Sequence, residues 1–218
     1  MNPETYLEEL ITRYPVLQSC SEDILEAFRL MRQSFEAGGK LLLAGNGGSC
    51  ADAEHIVGEL MKGFCLQRQI PTLFADKMKA IDNEAGTYLE SRLQGALPAL
   101  ALHTQQALAT AYLNDVDGEC FLAQALYGYG VAGDCLLAIS TSGNSSNVLY
   151  AAVVAKAKGM KVIGLTGKDG GKLKRMADIS IVVPEEETYR IQELHLPIYH
   201  WLCLVLEEYF FGGTNESG

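Results

Sequence analysis

Basic residues are scarce in this sequence. Its 17 Lys and Arg residues face 27 Asp and Glu residues, which gives a formal net charge of −10 at pH 7. A chain with this charge is repelled by phosphate backbones and anionic lipid surfaces, so we expect neither nucleic acid nor membrane partners. A phosphorylated small-molecule ligand remains compatible with this charge, because backbone amides and hydroxyl groups bind phosphate without net positive charge.

The sequence has no closely spaced cysteine pairs and no sign of a secretory leader. Its six cysteines are scattered, and none forms a C-x-x-C motif. The first residues show no basic segment followed by an apolar one, which is the pattern of a signal peptide. A chain of this length does not depend on disulfides for a stable core. These features predict a reduced, cytoplasmic protein.

An uninterrupted apolar run is missing as well. The longest apolar stretch, residues 194–211, contains His195, Pro197, His200 and two glutamates. Such polar residues are costly inside hydrocarbon, so we do not expect this stretch to span a membrane. The stretch predicts a long, buried C-terminal helix and is a candidate for a subunit interface.

The composition suits one globular unit. The 218 residues are 48% apolar and 20% charged, which provides enough hydrophobic material for one core. We therefore expect a single domain over residues 1–218. Apolar residues at intervals of three and four predict amphipathic helices within residues 1–38. Residues 212–218 are expected to be a disordered tail.

Short apolar runs alternate with Gly- or Ser-rich loops and helical patterns along the rest of the chain. The predicted strands cover residues 40–44, 97–102, 134–139, 160–165 and 179–183, and the predicted helices 50–62, 121–129 and 146–158. This alternation predicts an α/β fold, a three-layer sandwich around a central parallel sheet of five strands. Ligands bind such sheets beyond the carboxyl ends of the strands.

Residues 66–95 fit this alternation least well. They carry Pro71 and a mixed charge pattern, and they predict an insertion with one or two short helices. A solvated surface excursion, a lid and an interface element are all compatible with this pattern.

A loop rich in hydroxyl groups follows the predicted strand at 134–139. Its hydroxyl groups belong to Ser140, Thr141, Ser142 and Ser145. Hydroxyl groups at a helix N-terminus suit a phosphate, because the first helical amides are unpaired and carry partial positive charge. The alternative is a loop that only caps its helix through Ser145 or Ser146. The loop is not a Walker motif, and the Gly45–Gly48 turn lacks the spacing of a dinucleotide-binding fingerprint.

Candidate groups for proton transfer or metal binding come from two helices. His55 and Glu59 lie four residues apart and share a helix face. They could form a metal-binding pair, a proton-transfer pair or an ordinary surface contact. Gln192, His195 and His200 are polar residues in an apolar segment, where they need partners. His195 is expected to orient a neighbouring group. His103 has no evident partner in the sequence, and we expect it to have a structural role.

Gln192 and His200 are too far apart on one straight helix to bind one metal ion. Eight residues correspond to a rise of about 12 Å, whereas zinc bonds to nitrogen or oxygen measure about 2.0–2.2 Å. If both contribute to one site, they are expected to come from different chains. A start of the helix beyond Gln192, or a kink at Pro197, would relax this conclusion.

Four motifs in this order resemble a known family. They are Gly45-Asn46-Gly47-Gly48-Ser49 with His55-x-x-x-Glu59, Ala138 to Ser145, Leu165 to Gly171, and Arg190-Ile191-Gln192-Glu193-x-His195 with His200. The chain thereby resembles the phosphoheptose isomerases of the sugar isomerase (SIS) domain family over residues 40–208. The resemblance implies a flavodoxin-like SIS fold assembled as a homotetramer with active sites at subunit interfaces. Residues 66–95 and the residues just before Arg190 depart from the family pattern, so their roles stay open.

The resemblance also implies roles for individual residues. Glu59 resembles the general base and His200 the general acid. The implied substrate-binding residues are Asn46, Gly47, Ser49, Asp115, Ser140, Thr141, Ser142, Ser145 and Gln192. The implied zinc ligands, for one zinc ion per active site, are His55, Glu59, Gln192 and His200.

The implied reaction converts sedoheptulose 7-phosphate to D-glycero-D-manno-heptose 7-phosphate through an enediol. It would supply heptose for lipopolysaccharide or another cell-surface polysaccharide. The alternatives are a non-catalytic SIS-domain regulator that binds a replication-initiation protein and a sensor of sugar phosphates. The regulators of this family look as if they lack the last histidine. The presence of both Glu59 and His200 in this chain therefore favours the enzyme.

Overall fold

The computed structural model describes residues 2–213, and its strands form a single parallel sheet. The strands are β1 Leu41–Ala44, β2 Ala99–Ala101, β3 Cys135–Ile139, β4 Lys161–Thr166 and β5 Ile179–Val182. Their order in the sheet is β2-β1-β3-β4-β5, and every neighbouring pair is parallel. The predicted five-stranded parallel sheet is confirmed. β2 is shorter than predicted, because the chain turns into a 3-10 helix at Leu102–Thr104.

Ten α-helices surround the sheet within this range. They are α1 Pro3–Arg13, α2 Ser21–Glu36, α3 Gly48–Met61, α4 Thr72–Ile81, α5 Asn83–Glu90, α6 Gln106–Asp115, α7 Phe121–Tyr129, α8 Ser146–Ala157, α9 Gly171–Met176 and α10 Thr188–Phe211. Helices α1, α2, α3 and α10 contribute to the core on one face of the sheet, and α7, α8 and α9 to the core on the other.

The strands are apolar on both faces, which explains their uninterrupted hydrophobic runs. Leu41 and Leu43 point into the core with α2 and α10, whereas Leu42 and Ala44 point into the core with α7 and α8. Alternation along a strand sends successive side chains to opposite faces, and a parallel sheet covered on both sides needs both faces apolar. The predicted three-layer sandwich is confirmed.

The C-terminal helix begins earlier than predicted and passes through its proline. α10 starts at Thr188, so Gln192 lies inside the helix and not ahead of it, and Pro197 lies within its length. Gly212 caps this helix, while residues 214–218 of the expected tail lie outside the described residues. No helix in residues 2–213 is long and apolar enough to cross a membrane.

Residues 66–95 contain the two short helices α4 and α5. A side chain at Gly86 would clash with the backbone of Lys79, so the two helices approach each other closely. Large apolar side chains on this excursion are exposed, and they include Leu73, Phe74, Ile81, Tyr88 and Leu93.

Candidate active site

Two loops meet at the carboxyl edge of the sheet. The loop from Gly45 to Ser49 follows β1, and the loop from Ser140 to Ser145 follows β3, the neighbour of β1 in the sheet. The side-chain amides of Asn46 and Asn147 exchange two hydrogen bonds of 2.9 Å each and join the two loops. The structure thus brings the first two sequence motifs together. Asn147 was not predicted, although it lies only two residues beyond the hydroxyl loop.

The hydroxyl loop is pre-shaped without capping its helix through a serine. The Oγ atoms of Ser140 and Ser145 lie 3.0 Å apart, and Ser142 Oγ accepts a hydrogen bond of 3.2 Å from the amide of Asn144. Ser145 is the N-cap residue of α8 but makes no side-chain cap hydrogen bond. The helix terminus therefore keeps the character of an anion site.

Glycine is required where this loop meets the next one. Gly143 has a φ of +62°, and a Cβ atom there would overlap the carbonyl oxygen of Gly170. The amide of Leu173 donates to Gly143 O at 2.9 Å, and the amide of Lys172 donates to Asn144 Oδ1 at 3.1 Å. The third motif, residues 165–171, and the first turn of α9 thus pack against the hydroxyl loop and hold its shape.

Gln192 reaches the first loop from α10. A Cβ atom on Gly48 would lie 2.5 Å from Gln192 Nε2, so the amide of Gln192 rests against the first turn of α3. Ser49 is buried in the same turn, whereas Asn46 and Gly47 are exposed. A side chain at position 48 would displace the Gln192 amide from this place. The role of Gln192 at the substrate stays a prediction.

The predicted base and acid lie on facing helices, and both contact His55. His55 Nε2 is 3.2 Å from Glu59 Oε1, and the ring centroids of His55 and His200 are 5.0 Å apart. Phe64 covers the His200 ring at a centroid distance of 5.6 Å. Burial, followed by the nearby His55, lowers the pKa of His200 below its ordinary value. His200 is therefore a neutral imidazole at neutral pH.

A hydrogen-bond chain fixes the tautomer of His55. Tyr199 Oη donates to Asp52 Oδ1 at 3.3 Å, so its oxygen accepts from His55 Nδ1–H at 3.1 Å. Burial, and then Asp52, raise the pKa of Tyr199, which keeps the phenol protonated for this donation. The Nε2 atom of His55 then faces the carboxylate of Glu59. A ring nitrogen and a carboxylate oxygen in this arrangement share a proton or a cation.

The donor set fits a zinc ion. Imidazole nitrogen and carboxylate oxygen are ordinary zinc ligands, and metal-binding histidines usually donate their second N–H to a fixed partner, as His55 does to Tyr199. His200 Nε2 is buried and has no hydrogen-bond partner among residues 2–213. The four predicted ligands do not converge in one chain, however. Gln192 and His200 lie on one continuous helix, eight residues or about 12 Å of rise apart.

Asp115 is the predicted substrate-binding residue that lies apart from the loops. It ends α6 and is exposed, and its carboxylate accepts a hydrogen bond of 2.6 Å from Asn114 Nδ2. Its assignment to the sugar hydroxyls stays a prediction.

An open cleft borders the acid–base group. A cavity of about 490 Å³ lies between α1, the residues after α3 and α10, and His200 forms part of its wall with Phe64, Pro197 and Trp201. The wall is mostly apolar, so His200 faces a surface that a further chain can cover.

The two remaining histidines take different positions. His195 is fully buried, and its Nε2 donates to the carbonyl oxygen of Thr166 at 3.2 Å, which ties α10 to the end of β4. The expectation that His103 lacks a partner is wrong, because its Nε2 lies 3.1 Å from Glu54 Oε1. The fold brings β2 beside α3, and a contact between residues so distant in sequence gives no sequence signal.

A buried ion pair that the sequence did not reveal supports Glu59. Arg68 and Glu207 are both fully buried, with Arg68 Nε donating to Glu207 Oε1 at 2.7 Å. Arg68 also donates to the carbonyl oxygens of Glu59 and Leu60 at 2.8 and 2.7 Å. Glu207 accepts from the amides of Phe64, Cys65 and Leu66 at 2.7, 2.7 and 3.1 Å. The pair thus holds the end of α3 and the Phe64 segment against α10.

Comparisons with known proteins agree with this geometry. The SIS domain family matches residues 5–92 and 77–167. A phosphoheptose isomerase of Citrifermentans bemidjiense is 38% identical over 191 residues, covering 88% of this chain and 86% of that protein. One of Aneurinibacillus thermoaerophilus is 41% identical over 177 residues, covering 81% and 76%. The solved structure of a phosphoheptose isomerase from Francisella tularensis superposes with a TM-score of 0.74 at 32% identity, covering 94% and 96%.

Proposed function

Since this chain belongs to the SIS domain family and to its phosphoheptose isomerases, we propose that it converts sedoheptulose 7-phosphate to D-glycero-D-manno-heptose 7-phosphate. The observation that carries this proposal is the pairing of Glu59 with His55 beside His200, at the edge of the sheet that presents the hydroxyl loop. The product would enter heptose synthesis for lipopolysaccharide or another cell-surface polysaccharide. Relatives named as isomerases and the presence of both Glu59 and His200 disfavour a non-catalytic regulator.

The phosphate is held by the hydroxyl loop. Ser140, Thr141, Ser142 and Ser145 donate to phosphoryl oxygens, and the N-terminus of α8 adds its amides and partial charge. Asn46, Gly47, Ser49 and Gln192 bind the sugar, and Asp115 contacts its hydroxyl groups. None of these contacts requires a basic side chain, so the acidic charge of the chain does not oppose an anionic substrate.

Glu59 acts as the general base. Its carboxylate removes a proton from C1 of the ketose, which leaves an enediol, and returns a proton to C2 of the forming aldose. His200 acts on the oxygens, where its neutral imidazole donates a proton to the oxygen on C2 and recovers one from the oxygen on C1. No net proton is gained or lost. Phe64 packs against the His200 ring beside the open cleft.

Zinc is the proposed cofactor, with His55, Glu59 and His200 as ligands and Gln192 completing the set. Bound there, a zinc ion would polarise the substrate carbonyl. A glutamate that binds metal is a weaker base, so the two roles of Glu59 compete. The separation of Gln192 from His200 along α10 supports a site shared between subunits of a homotetramer. We place this enzyme in the cytoplasm, where its phosphorylated substrate would be made.

The test is direct turnover. The protein is incubated with sedoheptulose 7-phosphate, with and without added zinc, and the aldose is followed by NMR. We expect an aldose heptose phosphate to accumulate, and no reaction with sedoheptulose that lacks the phosphate. Absence of turnover under both metal conditions would overturn the proposal.

A further inference from the structure

A second cluster of metal-binding side chains lies beside the first loop. Cys50 and Glu54 are four residues apart on α3 and share one face of it, and His103 lies in the 3-10 helix that follows β2. The thiol, carboxylate and imidazole ligand atoms all lie within 4.8 Å of one another. We propose that Cys50, Glu54 and His103 form a second divalent-metal site, for a cation such as Zn²⁺ that accepts sulfur ligands.

The spacing is close to that of a bound ion. Zinc bonds of about 2.0–2.3 Å place tetrahedral ligands roughly 3.3–3.8 Å apart, so the cluster needs to close by about 1 Å. His103 Nε2 and Glu54 Oε1 are already 3.1 Å apart. The side chain of His103 is only 9% exposed, whereas that of Glu54 is 58% exposed and is free to adjust.

The ligand types select the metal. A thiolate with an imidazole and one carboxylate suits zinc and similar transition metals, while calcium and magnesium prefer oxygen ligands alone. Three protein ligands leave a fourth position for water or a small anion. Within residues 2–213 this is the one group of three His, Cys, Asp or Glu side chains with this spacing, and it shares no residue with the acid–base group.

The location gives the site a consequence for the first loop. Cys50 follows Ser49 directly, and His103 follows the strand that pairs with β1. A metal ion bound by both would connect the first turn of α3 to the end of β2. It would therefore fix the Asn46–Ser49 loop relative to the end of β2.

Cobalt gives a readout that reports a thiolate ligand. The full-length protein, kept reduced, is titrated with Co²⁺, and the sulfur-to-cobalt charge-transfer band is recorded in the near ultraviolet. The proposed ligands of the acid–base group are nitrogen and oxygen atoms, which give no such band. Cys65 lines the cleft beside His200, so Cys65→Ser is measured as well and is expected to leave the band unchanged. We expect the band to reach the intensity of one thiolate-bound Co²⁺ per chain within two added equivalents, because the acid–base group is a second proposed cation site, and to disappear when Zn²⁺ is added.

Variants identify the ligands. We expect Cys50→Ser to remove the band, His103→Asn to weaken Co²⁺ binding at this site by more than about tenfold, and Cys120→Ser, a partly exposed cysteine elsewhere, to leave the band unchanged. Circular dichroism verifies that each variant is folded. The proposal is overturned if no band forms with excess Co²⁺, if the band persists in Cys50→Ser, or if His103→Asn binds as tightly as the original chain.

Discussion

Each histidine in this chain owes its chemistry to its neighbours. His55 is oriented by Tyr199 and faces Glu59, His200 is half-buried beside them, and His103 pairs with Glu54. His195 is buried against a backbone carbonyl. The same side-chain type therefore occupies three environments here: an oriented imidazole beside a carboxylate, a half-buried ring and a buried structural anchor.

The anchoring role of His195 predicts a pH dependence of stability. Burial lowers the pKa of His195 to about 4, whereas histidine in an unfolded chain has a pKa of about 6.5. The unfolded state binds a proton that the folded state excludes, so this contribution is complete above pH 6.5 and is lost as the pH falls towards 4. The shift corresponds to about 3 kcal/mol of unfolding free energy per chain.

We expect urea unfolding curves, measured at one protein concentration, to show this loss in the original chain. The decline between pH 6.5 and 4 should be shallower in His195→Gln, which keeps a donor for Thr166 but does not titrate. His200 shifts in the same direction and contributes to both curves. Parallel pH profiles for the two proteins would contradict this assignment.

At the residue scale, the sequence predicts side-chain contacts between residues one turn apart on the same helix, but not contacts between different elements. His55 and Glu59 were predicted to meet because they are four residues apart, and they do. Tyr199 and Asp52, which fix the tautomer of His55, are 147 residues apart and meet only through the packing of α10 on α3. Burial, and with it the lowered pKa of His195 and His200, also follows from tertiary structure.

Among the elements, α10 connects most parts of the site. It carries Gln192 at the first loop, His200 at the acid–base group and Glu207 in the ion pair with Arg68. Because Arg68 binds the carbonyl oxygen of Glu59, the ion pair fixes the distance between the end of α3 and α10.

Breaking this ion pair from one side should be costly. We expect Arg68→Met and Glu207→Gln each to lower the unfolding free energy by about 3–5 kcal/mol, because each leaves buried polar groups without their partner. The double variant should lose less than the sum of the two. Urea unfolding of all four proteins completes this cycle, with the exposed Arg175→Met as a control expected within about 0.5 kcal/mol. Strictly additive losses would show that the two side chains act independently.

The elements that the sequence predicts best are those with a local signal. The apolar runs of β1, β3 and β4 and the Gly- or Ser-rich loops were located within one or two residues. The start of α10 was left open by the sequence, because Ile191 is the only aliphatic residue in 188–193 and does not form a helical apolar stripe. β2 was predicted too long, since its end depends on the 3-10 turn that carries His103.

At the scale of the whole molecule, the predicted site residues are too widely separated for one chain to enclose the site. Gln192 and His200 lie about 12 Å apart along α10, and His200 borders an open, mostly apolar cleft of about 490 Å³. A shared site at a subunit interface accounts for both features. The number of subunits and their arrangement depend on surface complementarity, which residue patterns along one chain do not encode.

Subunit mixing tests this sharing. Gln192→Ala and His200→Ala are each expected to have little activity as pure assemblies. Hybrids made by unfolding and refolding the two together should regain activity, because some sites then combine an intact Gln192 from one chain with an intact His200 from another. Light scattering checks that the hybrids are tetramers. Hybrids as inactive as their parents, or an active monomer, would contradict a shared site.

In the proposed reaction Glu59 moves the proton between C1 and C2 of sedoheptulose 7-phosphate. The most direct measurement is kcat for aldose formation by NMR in the original chain, in Glu59→Gln and in Glu22→Gln, a matched change at an exposed glutamate on α2. We predict a fall of about 10² or more for Glu59→Gln, the usual scale for a lost acid–base group, and no change for Glu22→Gln. An unchanged kcat in Glu59→Gln would contradict the account.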